Sequence, residues 1–169
     1  MHGTVLFACH ENICRSSMVE GLFREAVLRL GDSCRFSAES AGTVCRQRGE
    51  PPDFRALSAA RAFGVDISAH RARRTRDLRL GEYFRIFAMG HEDYHELVLL
   101  LDDARREDLF MLADYLPDPG VTAGGDPYCC PDDDFFAVRG MLSEAAENIC
   151  EELLGAGVSD GASDSPAIG

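Results

Sequence analysis

Cys9, Arg15 and Ser16 stand as Cys-x5-Arg-Ser, with His10, Glu11, Asn12, Ile13 and Cys14 between the thiol and the guanidinium. The set offers a soft nucleophile, a permanently charged bidentate cation and a small hydroxyl in one short loop. Chain that leaves a strand and opens a helix points its backbone N–H groups inward, at the positive end of the helix dipole. Donors of that kind, with a cation beside them, stabilise a thiolate, which is the reactive form of cysteine. They would also hold the three terminal oxygens of a phosphoryl group, and a bidentate arginine would close the cradle. One loop then supplies attack, oxyanion binding and compensation of charge in the transition state.

The flanking sequence provides the required strand and helix. Thr4 to Ala8 is a short apolar, β-prone run. From Ser16 the period changes, with Met18, Val19, Leu22, Phe23, Ala26, Val27 and Leu30 at helical spacing and Gly31 as a stop. Arg35–Ser40 predicts a second strand, followed by a polar loop through Gly49 and Pro51-Pro52. Asp53–Phe63 predicts a helix ending at Gly64, Phe84–Met89 a third strand and Glu92–Leu101 a further helix. Phe110–Ala113 predicts a fourth strand, and Phe135–Leu154 carries the last helical pattern. Strands alternating with helices predict a single α/β domain, a central mainly parallel four-stranded sheet with helices on both faces. The body is expected over 1–154, and the Gly, Ala, Ser and Asp of 155–169 read as a disordered tail.

Composition narrows the chemistry. All 17 basic residues are arginine, so a Walker-type lysine, a Schiff base and a Ser-Lys nucleophile are excluded. The seven cysteines are odd in number and irregularly spaced, which fits reduced thiols and a cytoplasmic protein better than a disulfide framework. No apolar run has the length of a membrane span, and Met1-His2-Gly3 does not open a signal peptide. Residues 1–89 carry 14 arginines against 10 acids, whereas 90–169 carry 3 against 19. The acidic half disfavours nucleic acid and reads mainly as solvated surface, so a phosphate site belongs among the arginines of the first half.

Cys9-His10-Glu11-Asn12-Ile13-Cys14-Arg15-Ser16-Ser17 resembles the low-molecular-weight protein tyrosine phosphatases, which begin with an apolar strand and Cys-x-Gly-Asn-Ile-Cys-Arg-Ser-Pro. The likeness continues through Glu39-Ser40-Ala41-Gly42-Thr43, through Gly49, Pro51, Asp53 and Arg55, and through His70-Arg71-Ala72-Arg73. It ends with Asp126-Pro127-Tyr128 before the last helix, and spans about residues 4–154 in the family's order. The resemblance implies a metal-independent enzyme without a cofactor. Its substrate would be a phosphotyrosine protein or a small aryl phosphate, hydrolysed through phosphocysteine. Cys9 would attack phosphorus, Arg15 would bind the phosphoryl oxygens, and Asp126 would protonate the leaving phenolate and then activate water. Ser16 resembles the hydroxyl that stabilises the departing thiolate. The backbone of residues 10–15 would supply most of the phosphate hydrogen bonds, Asn12 with support from His70 and Ser40 would hold the loop in its cradle shape, and Tyr128 would wall the substrate cleft.

The chain departs from that pattern at four places. Glu11 stands at the family's glycine, Ser17 at its proline, Gly90 where an aspartate is usual, and Cys129 after Asp-Pro-Tyr. Glu11 places a carboxylate near a dianion, and its replacement by glycine is expected to raise affinity for phosphate or vanadate. Cys14 reads either as a packed loop residue or as a partner for oxidised Cys9. His91 and His95 have metal spacing without a specified third ligand and read as surface residues. Arg71, Arg73, Arg74 and Arg76 read as a solvated face. Two other functions fit the loop: an arsenate reductase on the same fold, and a phosphate or phosphopeptide binder impaired by Glu11. Residues 46–128 contain no cysteine to serve the first, and a binder would not need Asp126. The motifs carry no signal for oligomeric state or for a particular protein substrate.

Overall fold

The computed structural model describes residues 2–30, 35–116 and 132–155, with side chains in the last segment from Val138 onward. Four strands, β1 (Gly3–Cys9), β2 (Phe36–Gly42), β3 (Arg85–Ala88) and β4 (Leu109–Met111), form one sheet in the order β2-β1-β3-β4. Every pairing is parallel. The helices are α1 (Arg15–Arg29), α2 (Phe54–Arg61), α3 (His91–Leu100) and α4 (Asp132–Gly155). This is the expected parallel α/β sheet with helices on both faces.

Alternation along β1 divides the core. Val5 and Phe7 face α1, α2 and α4, and Phe7 stacks on Phe87 with ring centroids 5.3 Å apart. Leu6 and Ala8 face the other way, toward Leu97 of α3 and Leu101 just beyond it. Both sets are buried, as side chains of a strand covered on two faces must be. The helical stripe read from Met18 to Val27 is the buried face of α1, packed on α4.

Several boundaries differ from expectation by one to three residues, two of them for visible reasons. Asp53 stands outside α2 as its N-cap, its carboxylate accepting the Arg55 N–H at 2.8 Å. The fourth strand stops at Met111, and Leu112–Tyr115 turns into a 3-10 helix instead. That turn buries Leu112 and brings the Tyr115 ring edge-on to Phe87, 5.4 Å between centroids. Of the expected tail, Gly155 closes α4 and the remainder lies outside the described residues.

The topology fixes where chemistry can occur. After β1 the chain passes to β2 on one side, and it then crosses to β3 on the other. Such a switch point leaves a crevice at the carboxyl ends of β1 and β3, where parallel sheets bind ligands. The Cys9–Arg15 loop occupies that end of β1.

Candidate active site

The loop is shaped from outside. The Cys9 carbonyl accepts from Thr43 N–H at 2.9 Å, and the His10 carbonyl from Val44 and Cys45 N–H at 3.1 and 3.0 Å. The Asn12 carbonyl accepts from His70 Nε2 at 2.9 Å, and the Ile13 carbonyl from Asp53 N–H at 2.8 Å. The Cys14 carbonyl takes the Met18 N–H at 3.1 Å and the Ser17 hydroxyl at 2.9 Å. With carbonyls turned to the surrounding chain, the N–H groups turn inward. Asn12 N–H accordingly points at Cys9 Sγ, 3.4 Å away. Gly42 belongs to this construction, because a Cβ there would stand 2.9 Å from the His10 carbonyl oxygen and 2.7 Å from Cys45 Cβ.

Asn12 is the keystone of the loop. It is fully buried and left-handed, with φ 63°, a conformation that asparagine tolerates better than most side chains. Its Oδ1 accepts the Arg73 N–H at 3.0 Å. The amide's two hydrogens are thereby aimed at Ser16 Oγ, 3.0 Å, and Ser40 Oγ, 2.9 Å. Ser16 Oγ, which accepts from Asn12, also lies within hydrogen-bond distance of Cys9 Sγ, 2.9 Å away. Ser40 Oγ donates to Glu20 Oε2 at 2.5 Å. His70 Nδ1 lies 3.5 Å from the same oxygen, and Arg24 closes on Oε1 at 2.6 Å. A polar chain therefore runs from Arg24 and Glu20 through Ser40, Asn12 and Ser16 to the sulfur. Burial works against the Glu20 charge, but the bonds from His70 and Ser40 and the Arg24 guanidinium hold its carboxyl below the ordinary value.

The departures from the family pattern fall into place locally. Glu11 does not adopt positive φ, the left-handed position in this loop being Asn12, so the backbone does not require glycine at 11. The Glu11 carboxylate turns toward the loop after β2, where Oε2 accepts the Arg46 N–H at 2.7 Å. Ser17, in place of proline, is buried and bonds the Cys14 carbonyl, which secures the start of α1. Beside Gly90, the buried Asp93 carboxylate has an oxygen 3.4 Å from where a Cβ would stand. Its other oxygen accepts from Thr43 Oγ1 at 2.7 Å.

Sequence reasoning placed Cys9, Asn12, Ser16, Ser40 and His70 together, and the structure brings them together. Arg15 opens α1, half-buried at the loop's end. Asp126, Tyr128 and Cys129 lie outside the described residues. His91 and His95 are exposed on α3, and among the described residues no cluster of His, Cys, Asp or Glu could hold a metal ion. Arg73 is built into the site rather than solvated, its Nε on the Ser40 carbonyl at 2.9 Å and its Nη2 on Glu39 at 2.8 Å. Glu20, Thr43 and Asp93 were not legible as site residues. Glu20 interrupts the apolar stripe of α1 between Val19 and Leu22, and a charged residue there was the available signal.

Loop carbonyls bound outward, with the Asn12 N–H and Ser16 Oγ converging on a buried cysteine at the carboxyl end of the first strand of a parallel sheet, are the geometry of a thiol-centred site. The description "Low molecular weight phosphotyrosine protein phosphatase" belongs to the family model that residues 4–157 match. The chain belongs to that family. It is 29% identical over 154 residues to the low molecular weight protein-tyrosine-phosphatase YfkJ of Bacillus subtilis, covering 89% of this chain and 93% of the relative. Against the low molecular weight phosphotyrosine protein phosphatase of Schizosaccharomyces pombe it is 31% identical over 153 residues, covering 88% and 96%. The crystal structure of YfkJ superposes with a TM-score of 0.78 at 28% identity, covering 95% of this chain and 98% of the other. A protein tyrosine phosphatase from Entamoeba histolytica shares the fold, with a TM-score of 0.84 at 24% identity, covering 92% and 99%.

Proposed function

We propose that this chain hydrolyses phosphotyrosine in proteins, and small aryl phosphates, in two steps at Cys9. The Cys9 sulfur attacks phosphorus as the bond to the phenolic oxygen breaks, and Asp126 delivers its proton to that oxygen. Water then attacks the phosphocysteine, Asp126 takes a proton from it, and the sulfur departs as thiolate. The inward N–H groups of residues 10–14 and the Arg15 guanidinium bind the equatorial oxygens, whose charge is greatest in the transition state. Ser16 donates to the departing sulfur.

The observation that carries the reading is the outward binding of the loop carbonyls, together with Asn12 N–H and Ser16 Oγ converging on Cys9 Sγ. Family membership supports the same chemistry. Catalytic work is assigned to the body, residues 1–154, and Tyr128 to the cleft wall. The reducing cytoplasm suits a nucleophile that must remain a thiol, and the acidic second half of the chain suits protein or small-molecule substrates rather than nucleic acid. The test is hydrolysis of p-nitrophenyl phosphate and of a phosphotyrosine peptide at pH 5–7 in the presence of a chelator, with Cys9→Ser and Asp126→Ala alongside. Turnover abolished by the first variant and strongly reduced by the second is the expected result. Vanadate binding without turnover would instead favour a phosphate-binding protein.

A further inference from the structure

Glu39 is the only acid of β2, and its register with Leu6 puts its side chain on the sheet face that packs against α3. That face is apolar around it, with Leu6, Ala8 and Ala41 buried beside Leu80 and Tyr83. A carboxylate at such a place is unfavourable unless particular donors replace its water. Two donors meet on one of its oxygens. Oε2 accepts from the Tyr83 hydroxyl at 2.5 Å and from Arg73 Nη2 at 2.8 Å. Tyr83 stands just before β3, and β1 lies between β3 and β2, so its hydroxyl reaches Glu39 across β1. Tyr83 is itself buried, and its backbone is held by the Leu80 carbonyl on its N–H and by Arg105 on its carbonyl. Burial, the Glu39 bond and the Glu39 charge hold its hydroxyl well above the ordinary phenol value, so it remains a donor.

Arg73 carries this contact to the phosphate loop. Its Nε donates to the Ser40 carbonyl at 2.9 Å, and its own carbonyl accepts the Gly42 N–H at 2.7 Å. Its N–H then meets Asn12 Oδ1 at 3.0 Å. A side-chain amide has an acceptor end and a donor end, and a donor fixed at Oδ1 decides which way it faces. Nδ2 is thereby committed to Ser16 and Ser40, and Ser16 Oγ stands 2.9 Å from Cys9 Sγ. Glu20, on α1 at the opposite face of the sheet, reaches the nitrogen end of this amide through Ser40. Glu39 reaches the oxygen end through Arg73.

We propose that Tyr83 and Glu39 are positioning residues for the phosphate loop, acting through Arg73 on the Asn12 amide. The inference rests on the phosphatase reading of the Cys9 loop. Every link in the chain from the Tyr83 hydroxyl to Cys9 Sγ is a hydrogen bond of 2.5–3.0 Å. Its effect is to keep the N–H groups of the loop aimed before substrate arrives, so that the transition state is met without reorganisation.

The test compares wild type with Tyr83→Phe, which removes one hydroxyl and keeps the ring, and Glu39→Gln, which keeps shape and an acceptor but removes the charge. Steady-state constants for p-nitrophenyl phosphate and inhibition constants for vanadate and inorganic phosphate are measured on each, and urea unfolding reports the folded fraction. Tyr83→Phe is expected to lower kcat about threefold and Glu39→Gln about tenfold, the range for groups that act through a bonded network. KM should change less than about twofold, the pattern of an interaction realised in the transition state. Vanadate, which adopts the five-coordinate geometry of that state, should lose affinity in step with kcat, while phosphate affinity stays within about twofold. The double variant should resemble Glu39→Gln alone, because the two residues act as one unit. A purely structural role would lower stability and leave the ratio of vanadate to phosphate affinity unchanged. That ratio at its wild-type value in the folded variants would overturn the proposal, as would wild-type kcat. If Glu39→Gln does not fold, Tyr83→Phe decides by the same ratio. An inactive wild type would sink the phosphatase reading, and the ratio in the variants would still decide the role of Tyr83 and Glu39.

Discussion

Replacing Asn12 by alanine tests the construction of the loop, and its magnitude follows from the contacts. The change removes the amide's bonds to Ser16 and Ser40 at 3.0 and 2.9 Å and the acceptor for Arg73 N–H at 3.0 Å. Each buried bond contributes about 1 kcal/mol net, and more where the remaining partner finds no substitute. Alanine at φ 63° adds about 1 kcal/mol of strain relative to asparagine. The expected loss is about 4 kcal/mol, a large share of the roughly 5–15 kcal/mol available to a domain. Urea titration measures it directly, and in melting it corresponds to a fall of about 8–16 °C for a chain of this size. Asn12→Gly separates the two causes. It loses the same bonds but adopts the left-handed backbone without strain, so it is expected to be about 1 kcal/mol more stable than Asn12→Ala. Both variants should lose kcat about a hundredfold or more, because an N–H cradle that relaxes no longer matches the transition state. An alanine variant within 1 kcal/mol of wild type, or one more stable than the glycine variant, would refute this reasoning.

Three further outcomes follow from neighbouring residues. Ser16→Ala removes the hydroxyl 2.9 Å from Cys9 Sγ and should slow dephosphorylation more than phosphorylation, so rapid mixing with p-nitrophenyl phosphate gives a burst followed by a steady state slower than that of wild type. Glu11→Gln keeps an acceptor for the Arg46 N–H while removing the charge, and should tighten vanadate binding by about two- to fivefold, the effect of one partly screened charge. The Glu20 carboxyl sits below its ordinary value of 4.5 in the folded protein, so its contribution to stability is present above that pH and is lost as pH falls through the lower folded value. The stability difference between wild type and Glu20→Gln, measured by urea unfolding, should therefore shrink between pH 7 and pH 3; a constant difference would show that Glu20 does not carry the linkage.

Much of the fold and the centre of the site could be read from the chain. Val5, Phe7, Met18 and Leu22 carry their periods plainly, and Cys9, Asn12, Arg15 and Ser16 lie so close in sequence that strand, loop and helix must bring them together. Ser40 and His70 became legible through the family pattern rather than through periodicity. Residues that act across the sheet left weaker traces. Arg73 looks like one member of an arginine-rich surface run, and only its register beside Asn12 shows that its N–H and its Nε serve the site. Asp93 reads as an ordinary acid in the first turn of a helix, because its partner Thr43 is 50 residues away and their contact depends on strand order. Glu11 shows the converse: its charge is legible, but its direction toward Arg46 N–H depends on how the loop after β2 lies against the phosphate loop.

The central claim is that Cys9 carries the phosphoryl group between the two steps. Acid quenching of the wild-type enzyme during turnover of p-nitrophenyl phosphate, followed by mass analysis of the intact chain and its peptides, tests it most directly. One phosphoryl group on the peptide containing Cys9, absent from Cys9→Ser, is the predicted result. A phosphoryl group on another residue, or unchanged turnover by Cys9→Ser, would contradict the account.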